Sequence, residues 1–288
     1  MHIASGTVAA LLALLSSAMW GSADYLGGKL SRRRHVLVVL GGSQAIGLLA
    51  MLLTATLTGS WGAAPDYAGW AVLASLSGAT GLMLYYRALA IGTMGVVSPI
   101  AALGVLVPLA VGLAQGEQPS ALQMLGIVLA LVGVVAASGP EVHGDAGLLP
   151  ALLAGGAALF LGLSMVAIAR GSEVSVVMTM TVMRVSTVSL LAVAFLVLRR
   201  TVLAGGSALV SRAELPAFAA VGLLDVGANL TFGLASTMGL LTLVSVFGSL
   251  YPLATILLAR FIDDERLRPI QHLGVGLALA GVAAISAG

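Results

Sequence analysis

Ten runs of mostly apolar residues follow one another along the chain, at 7–28, 36–58, 68–90, 94–114, 121–138, 148–169, 176–198, 214–236, 239–260 and 270–287. About 20 helical residues span the roughly 30 Å of hydrocarbon in a bilayer, so each run is long enough to cross one. Inside hydrocarbon every backbone N–H and C=O must find its partner within the chain, and a helix satisfies them locally. The connections, such as 59–66, 116–120 and 139–147, are short and marked by Gly, Pro, Asp and Ser, and the longest, 199–213, is too small for a soluble domain. The expected fold is an all-α polytopic membrane protein of ten transmembrane helices, with the lipid bilayer as its solvent.

Charge agrees with this. Only 8% of residues are charged and 59% are hydrophobic, with a mean hydropathy of +1.10, whereas a soluble domain carries about a quarter charged residues. The 13 Lys and Arg against 11 Asp and Glu form no dense basic face, so no nucleic-acid partner is expected. The absence of cysteine excludes disulfides and thiolate chemistry. His2, His35, His143 and His272 fall in or near loops or helix ends without ligand spacing, so neither a metal nor another cofactor is expected. No Gly-rich phosphate loop and no nucleophile elbow occurs, which argues against an ATP-driven pump and against an enzyme. The first apolar run lacks a basic start and is followed by Lys29 and Arg32 to Arg34, the pattern of a retained helix rather than a cleaved signal.

The chain also repeats itself. Thr93-Met94-Gly95 recurs as Thr237-Met238-Gly239, and the same offset of 144 carries Gly104 onto Gly248 and Pro108-Leu109 onto Pro252-Leu253. Glu117, Gln123 and Gly126 recur as Glu265, Gln271 and Gly274 at an offset of 148, and Gly133-Val134 as Gly281-Val282; an insertion of four residues around Ile262 to Asp264 accounts for the change. Earlier, Gly21 and Lys29 answer to Gly162 and Arg170. Matches of Leu or Ala between apolar helices mean little, but shared Glu, Gln, Pro and Gly spacing is specific. The halves are 1–145 and 146–288, together one transmembrane domain. Five spans per half is an odd number, so the second half enters the membrane from the opposite side. The two are inverted repeats, an architecture that lets a transporter expose one site to each side in turn.

Basic residues of short loops favour the cytoplasmic side. With the first loop inside, the inner face holds Lys29, Arg32, Arg33, Arg34, Arg87, Arg199, Arg200, Arg212, Arg260, Arg266 and Arg268, and the outer face only Arg170. Both termini are therefore expected outside, at a bacterial inner membrane, with Glu117 outside and Glu265 inside.

Polar groups inside a membrane are costly and usually face a cavity or a partner. The candidates for a substrate cavity are Trp20, Asp24, Gln44, Tyr85, Tyr86, Arg184, Asp225, Asn229, Phe247 and Tyr251. Asp225 and Asn229, one turn apart, point the same way, and Arg184 on the preceding span is the charge expected to approach Asp225. Such a pair either fixes helix packing or serves as a substrate or proton site. Asp24 and Arg87 are placed to close an inner gate, or simply to snorkel to the interface. Trp20, Tyr85, Tyr86, Phe160, Phe247 and Tyr251 form a possible aromatic lining, against the alternative of ordinary packing or lipid contact. Pro99, Pro108 and Pro252 interrupt spans 4 and 9, while Gly112, Gly116, Gly126 and Gly133 suit close helix contact.

Taken as an ordered set, Met19-Trp20-Gly21-Ser22, Tyr86-Arg87-Ala88-Leu89, the Pro108 and Pro252 spans and the two Glu-x5-Gln-x2-Gly stretches resemble the EamA-type branch of the drug/metabolite transporter superfamily, over essentially the whole chain. The resemblance implies ten spans as five plus five, a central cavity lined by both halves, and export of a small organic solute, amino acids including aromatic ones among them. The second half departs from the pattern with Phe160-Leu161-Gly162 in place of Met19-Trp20-Gly21, so any role of the tryptophan falls on Trp20 alone. The leading expectation is a monomeric secondary exporter of amino acids or similar metabolites, driven by the solute gradient or by protons. A multidrug or lipid-linked-sugar carrier is the alternative within transport, and a non-transporting scaffold or sensor the alternative outside it.

Overall fold

A computed structural model describes residues 2–31, 34–91, 97, 100–137, 148–204, 211–262 and 268–288, with backbone only at 2–5, 86, 89–90, 199–204 and 259–260. Arg32, Arg33, Pro99, His143, Glu265, Arg266 and the side chains of Tyr86, Arg199, Arg200 and Arg260 lie outside the described residues. Among those described there is no strand. The helices are α1 (His2–Ser31), α2 (Val36–Leu57), α3 (Tyr67–Ile91), α4 (Leu106–Ala114), α5 (Ala121–Ala137), α6 (Leu148–Ala204), α7 (Leu215–Met238), α8 (Leu241–Gly248), α9 (Tyr251–Ile262) and α10 (Pro269–Ala287).

Seven helical segments among the described residues are long and apolar enough to cross a membrane, and two shorter apolar helices cover Ile100–Ala114 and Ala121–Ala137. The difference from ten runs has two local causes. First, runs six and seven are joined without a loop into α6, where only Ser175 leaves helical geometry, at φ −159° and ψ 111°. The arms fold back on each other there, since a Cβ on Gly171 would lie 2.6 Å from Thr179 Cγ2, residues about 12 Å apart along a straight helix. Second, runs four and five form helices shorter than 18 residues over their described parts.

Run nine is broken into α8 and α9 at Ser249 and Leu250. Pro252 has no N–H to donate, and its ring displaces the carbonyl of Gly248 four residues earlier, so the helix cannot continue through that turn. Pro108 leaves the same mark in the first repeat, a 3-10 turn at Leu103–Val105 immediately before α4.

Small residues decide which helices meet. A Cβ on Gly126 would lie 2.7 Å from Gly281 O, and one on Gly274 would lie 2.7 Å from Gly133 O. Exchanging the repeats turns each of these contacts into the other, so the α5–α10 seam sits on a local two-fold axis. Gly21 against Tyr251, and Gly162 against Val107, are a second pair of the same kind. Gly116, expected to ease helix contact, does something else: at φ +89° with open space around it, it takes the left-handed turn that ends α4. Outward-facing side chains such as Leu53, Leu196 and Leu279 are about 60% exposed (60%, 63% and 60%), an apolar belt stable only against lipid.

The Glu-x5-Gln-x2-Gly stretch resolves into three structural roles. Gln123 Oε1 accepts from Ser120 N at 2.8 Å, and Gln271 Oε1 accepts from Arg268 N at 2.9 Å, so both glutamines tie the first turn of their helices. The glycines form the seam. Glu117 crosses between repeats: Leu241 N donates to Oε1 at 2.6 Å and Thr242 N to Oε2 at 2.8 Å, capping α8. Gly112 makes room for this carboxylate, since a Cβ there would lie 2.5 Å from Oε2.

Candidate functional site

The site begins with a close approach of α2 and α7, which run side by side in the same direction. A Cβ on Gly47 would lie 2.8 Å from Val226 Cγ2 and 3.4 Å from Gly222 O, and Gly222 itself abuts Ser43 O. With no side chains at this crossing, polar residues one turn away on each helix can touch. Gln44 Nε2 donates to Asp225 Oδ2 at 2.9 Å. From the second arm of α6, Arg184 Nη1 lies 2.7 Å from the same oxygen and donates to Gln44 Oε1. Asn229 Nδ2 donates to Asp225 O at 2.6 Å and to Asp225 Oδ1 at 3.3 Å. Arg184 and Asp225, expected to approach each other, are thus in direct contact, with Gln44 and Asn229 filling the remaining valences of the carboxylate.

Burial in this cluster is uneven. The Arg184 side chain is 3% exposed and that of Asp225 23%, so the carboxylate is reachable and the guanidinium is not. Arg184 Nε and Nη2 are buried without partners. A buried, half-satisfied cation of this kind depends on its counter-ion: removing one partner of such a pair costs about 3–5 kcal/mol.

Asp24 on α1 completes the set. It is exposed and close enough to Asp225 for the two charges to interact. Among the described residues no ion pair joins Asp24 to Arg87, which is exposed on α3, a helix packed against α6. The ion pair that does link the ends of these helices was not anticipated. Arg34 Nε donates to Glu214 Oε1 at 2.8 Å and Nη2 to Oε2 at 2.7 Å, a two-pronged bridge from the α1–α2 connection to the start of α7. The guanidinium and the hydroxyl and amide of Ser211 hold the Glu214 carboxyl down at about 2. Arg34 follows a pair of arginines and Glu214 a loop, so only an account of which loops adjoin could have paired them.

Among the described residues, Tyr85 packs apart from Trp20 and Phe247. Trp20 is half-buried, with its ring 5.5 Å from that of Phe232, a residue the sequence pattern did not single out. Phe247 is 2% exposed in the main core. Tyr85 packs against a separate small cluster of Ala88, Val97 and Ala154. Tyr251 lies against Gly21 through its backbone, and Phe160 is half-buried. Helix rotation, which an apolar sequence leaves open, sends these rings to different places.

The His35 ring accepts from Leu37 N at 3.3 Å as the cap of α2, and the His272 ring lies 3.2 Å from Arg268 O. No group of three potential metal ligands occurs among the described residues.

The sequence model of the EamA-like transporter family fits this chain twice, over residues 7–139 and again over 148–287. The chain belongs to the EamA-like transporter family. It is a multi-pass membrane transporter of the drug/metabolite type, built on the family's two-repeat plan. Among solved structures it is similar to one described only as a protein crystal structure, with 18% identity, a TM-score of 0.76 and coverage of 98% of this chain and 96% of the other. That likeness concerns the fold alone. No curated protein matches the sequence.

Proposed function

We propose that this transporter exports small metabolites, amino acids foremost, by alternating access. In this reading the helices make ten crossings as two inverted five-helix repeats, 1–145 and 146–288. The two arms of α6 count as two crossings, α8 with α9 as one, and the two shorter apolar helices as one each. The charge count puts both termini outside, at a bacterial inner membrane, and the chain works as a monomer. The reading rests chiefly on the polar cluster of Gln44, Arg184, Asp225 and Asn229 near the middle of their helices, faced by Asp24. Intramembrane charge of this kind is costly unless it serves a pathway, and α1, α2, α6 and α7 draw it from both repeats.

Uptake of radiolabelled phenylalanine, tryptophan, leucine, threonine and lysine into proteoliposomes, against empty liposomes, tests this. Saturable uptake of one group is expected. No uptake of any of them by folded protein breaks the amino-acid reading and turns the test to drugs and lipid-linked sugars. Protons couple transport here if Asp24→Asn or Asp225→Asn abolishes its pH dependence, and unchanged dependence in both leaves the solute gradient as driving force.

A further inference from the structure

We propose that Asp24 is the receptor for a positively charged amine on the transported solute, an inference that rests on the transport function above. Residues 13, 17, 20 and 24 share one face of α1 by their spacing. Ala13 and Ser17 on that face are buried, and Trp20 packs at a tilt against Phe232. Val8, Leu11 and Leu15, on the opposite face, are 44%, 62% and 49% exposed and form the lipid side. Asp24 is therefore on the inward stripe and yet exposed, which places its carboxylate on an opening inside the protein rather than against lipid.

Charge counting around that opening gives two carboxylates and one cation. Arg184 from α6 is committed to Asp225 and Gln44 and closed to further contact. From α7 comes Asp225 itself, and α2 contributes the neutral Gln44. On α1, Lys29 donates to the Tyr25 hydroxyl at 2.7 Å, and its ammonium sits 4.8 Å from the Tyr25 ring centre. No hydrogen bond or ion pair reaches the Asp24 carboxylate among the described residues. A surplus negative charge among apolar helices is met either by a proton or by a counter-charge, and no described residue supplies the latter here. On this proposal the counter-charge arrives with the solute. Trp20, one turn away and partly open, offers the kind of ring face against which an alkylammonium is stable. Because Arg184 is shut, a carboxylate on the solute has no matching receptor in this conformation. The amine, not the acid, is the recognised group.

The test is isothermal titration of the detergent-solubilised protein and of Asp24→Asn with phenethylamine, phenylalanine and N-acetylphenylalanine, alongside uptake of the same three into proteoliposomes. Phenethylamine and phenylalanine should bind, and the acetylated compound at least about tenfold more weakly, the loss of one charge-assisted contact. Asp24→Asn should bring the two amines down to the acetylated level. It should leave the unfolding temperature unchanged, since nothing in the fold is bonded to this carboxylate. Equal binding of the acetylated compound, binding unaffected by Asp24→Asn, or no binding of any of the three overturns the proposal. So does a variant that loses pH dependence while keeping amine preference, which would make Asp24 a proton carrier. Asp24-dependent amine binding without uptake would instead break the transport reading and leave the amine site standing. Uptake of non-amine solutes alone, undiminished in Asp24→Asn, would do the reverse.

Discussion

Between α5 and α10 the chain meets itself mainly through glycine and alanine backbone, and the contacts Gly126–Gly281 and Gly133–Ala278 have their partners in Gly274–Gly133 and Gly281–Ala130 under exchange of the two repeats. Between α2, α6 and α7 it meets through four polar side chains, and the charged ones have no counterpart: at offsets of 141 to 144, Arg184 and Asp225 fall on 40–43 and 81–84, where no ionisable residue stands. The seam is packing that any inverted pair of helices can share. The cluster is chemistry placed on one side of a symmetric scaffold. Symmetry is easily kept where only van der Waals contact is needed, and on the proposed function it is broken where a single solute is held in one orientation.

The largest effect expected from disturbing this contrast is in the cluster. Asp225→Leu should destabilise the protein by about 3–5 kcal/mol, because it leaves Arg184 buried without its counter-ion. Arg184→Leu with Asp225→Leu should recover most of that loss while transport stays absent. If the single and double variants unfold alike in detergent titrations, the pair is not acting as a unit. In the seam, Gly281→Ala should cost roughly 1–3 kcal/mol, since its Cβ would lie 2.5 Å from Ala130 N and 2.6 Å from Gly126 O, backbone atoms that cannot turn aside. Gly133→Ala, its two-fold mate, should cost the same in the same unfolding assay. A clear inequality between these two would break the symmetry argument.

The smallest effect belongs to the Arg34–Glu214 bridge at the helix ends. Glu214 has its carboxyl lowered from 4.5 to about 2 by the Arg34 and Ser211 hydrogen bonds. A lowered value means the folded state binds the proton less readily, so the contribution is fully present above about pH 4.5 and is lost as pH falls towards 2. Unfolding temperatures of wild type and Glu214→Gln, measured from pH 7 down to pH 3, should converge as the pH falls. Parallel curves would show that the bridge contributes nothing. Both groups are partly solvated, so the difference at pH 7 should be modest.

Much of this was legible in the residues. Periodic apolar length implied helices in lipid, Glu, Gln, Pro and Gly at matched offsets implied inverted repeats, and the two deep charges implied a meeting of Arg184 with Asp225. The open readings share a cause. Asp24 and Arg87 stayed between an inner gate and simple snorkelling, and the aromatic residues between one lining and ordinary packing, because position along a helix gives depth only approximately and direction not at all when nearly every face is apolar. The roles of Glu117 and the Arg34–Glu214 bridge were hidden for a related reason: their partners lie 124 or more residues away.

What the sequence by itself determined is the class of solvent, the number of apolar runs and the repeat, since each follows from transfer free energy and chain length, which are local sums. Only the tertiary structure decided which polar groups share an opening and which are sealed. That depends on helix rotation and crossing, set here by glycines at 47 and 222 that let α2 and α7 close on each other, bringing Gln44 against Asp225 and leaving Asp24 without a partner among the described residues.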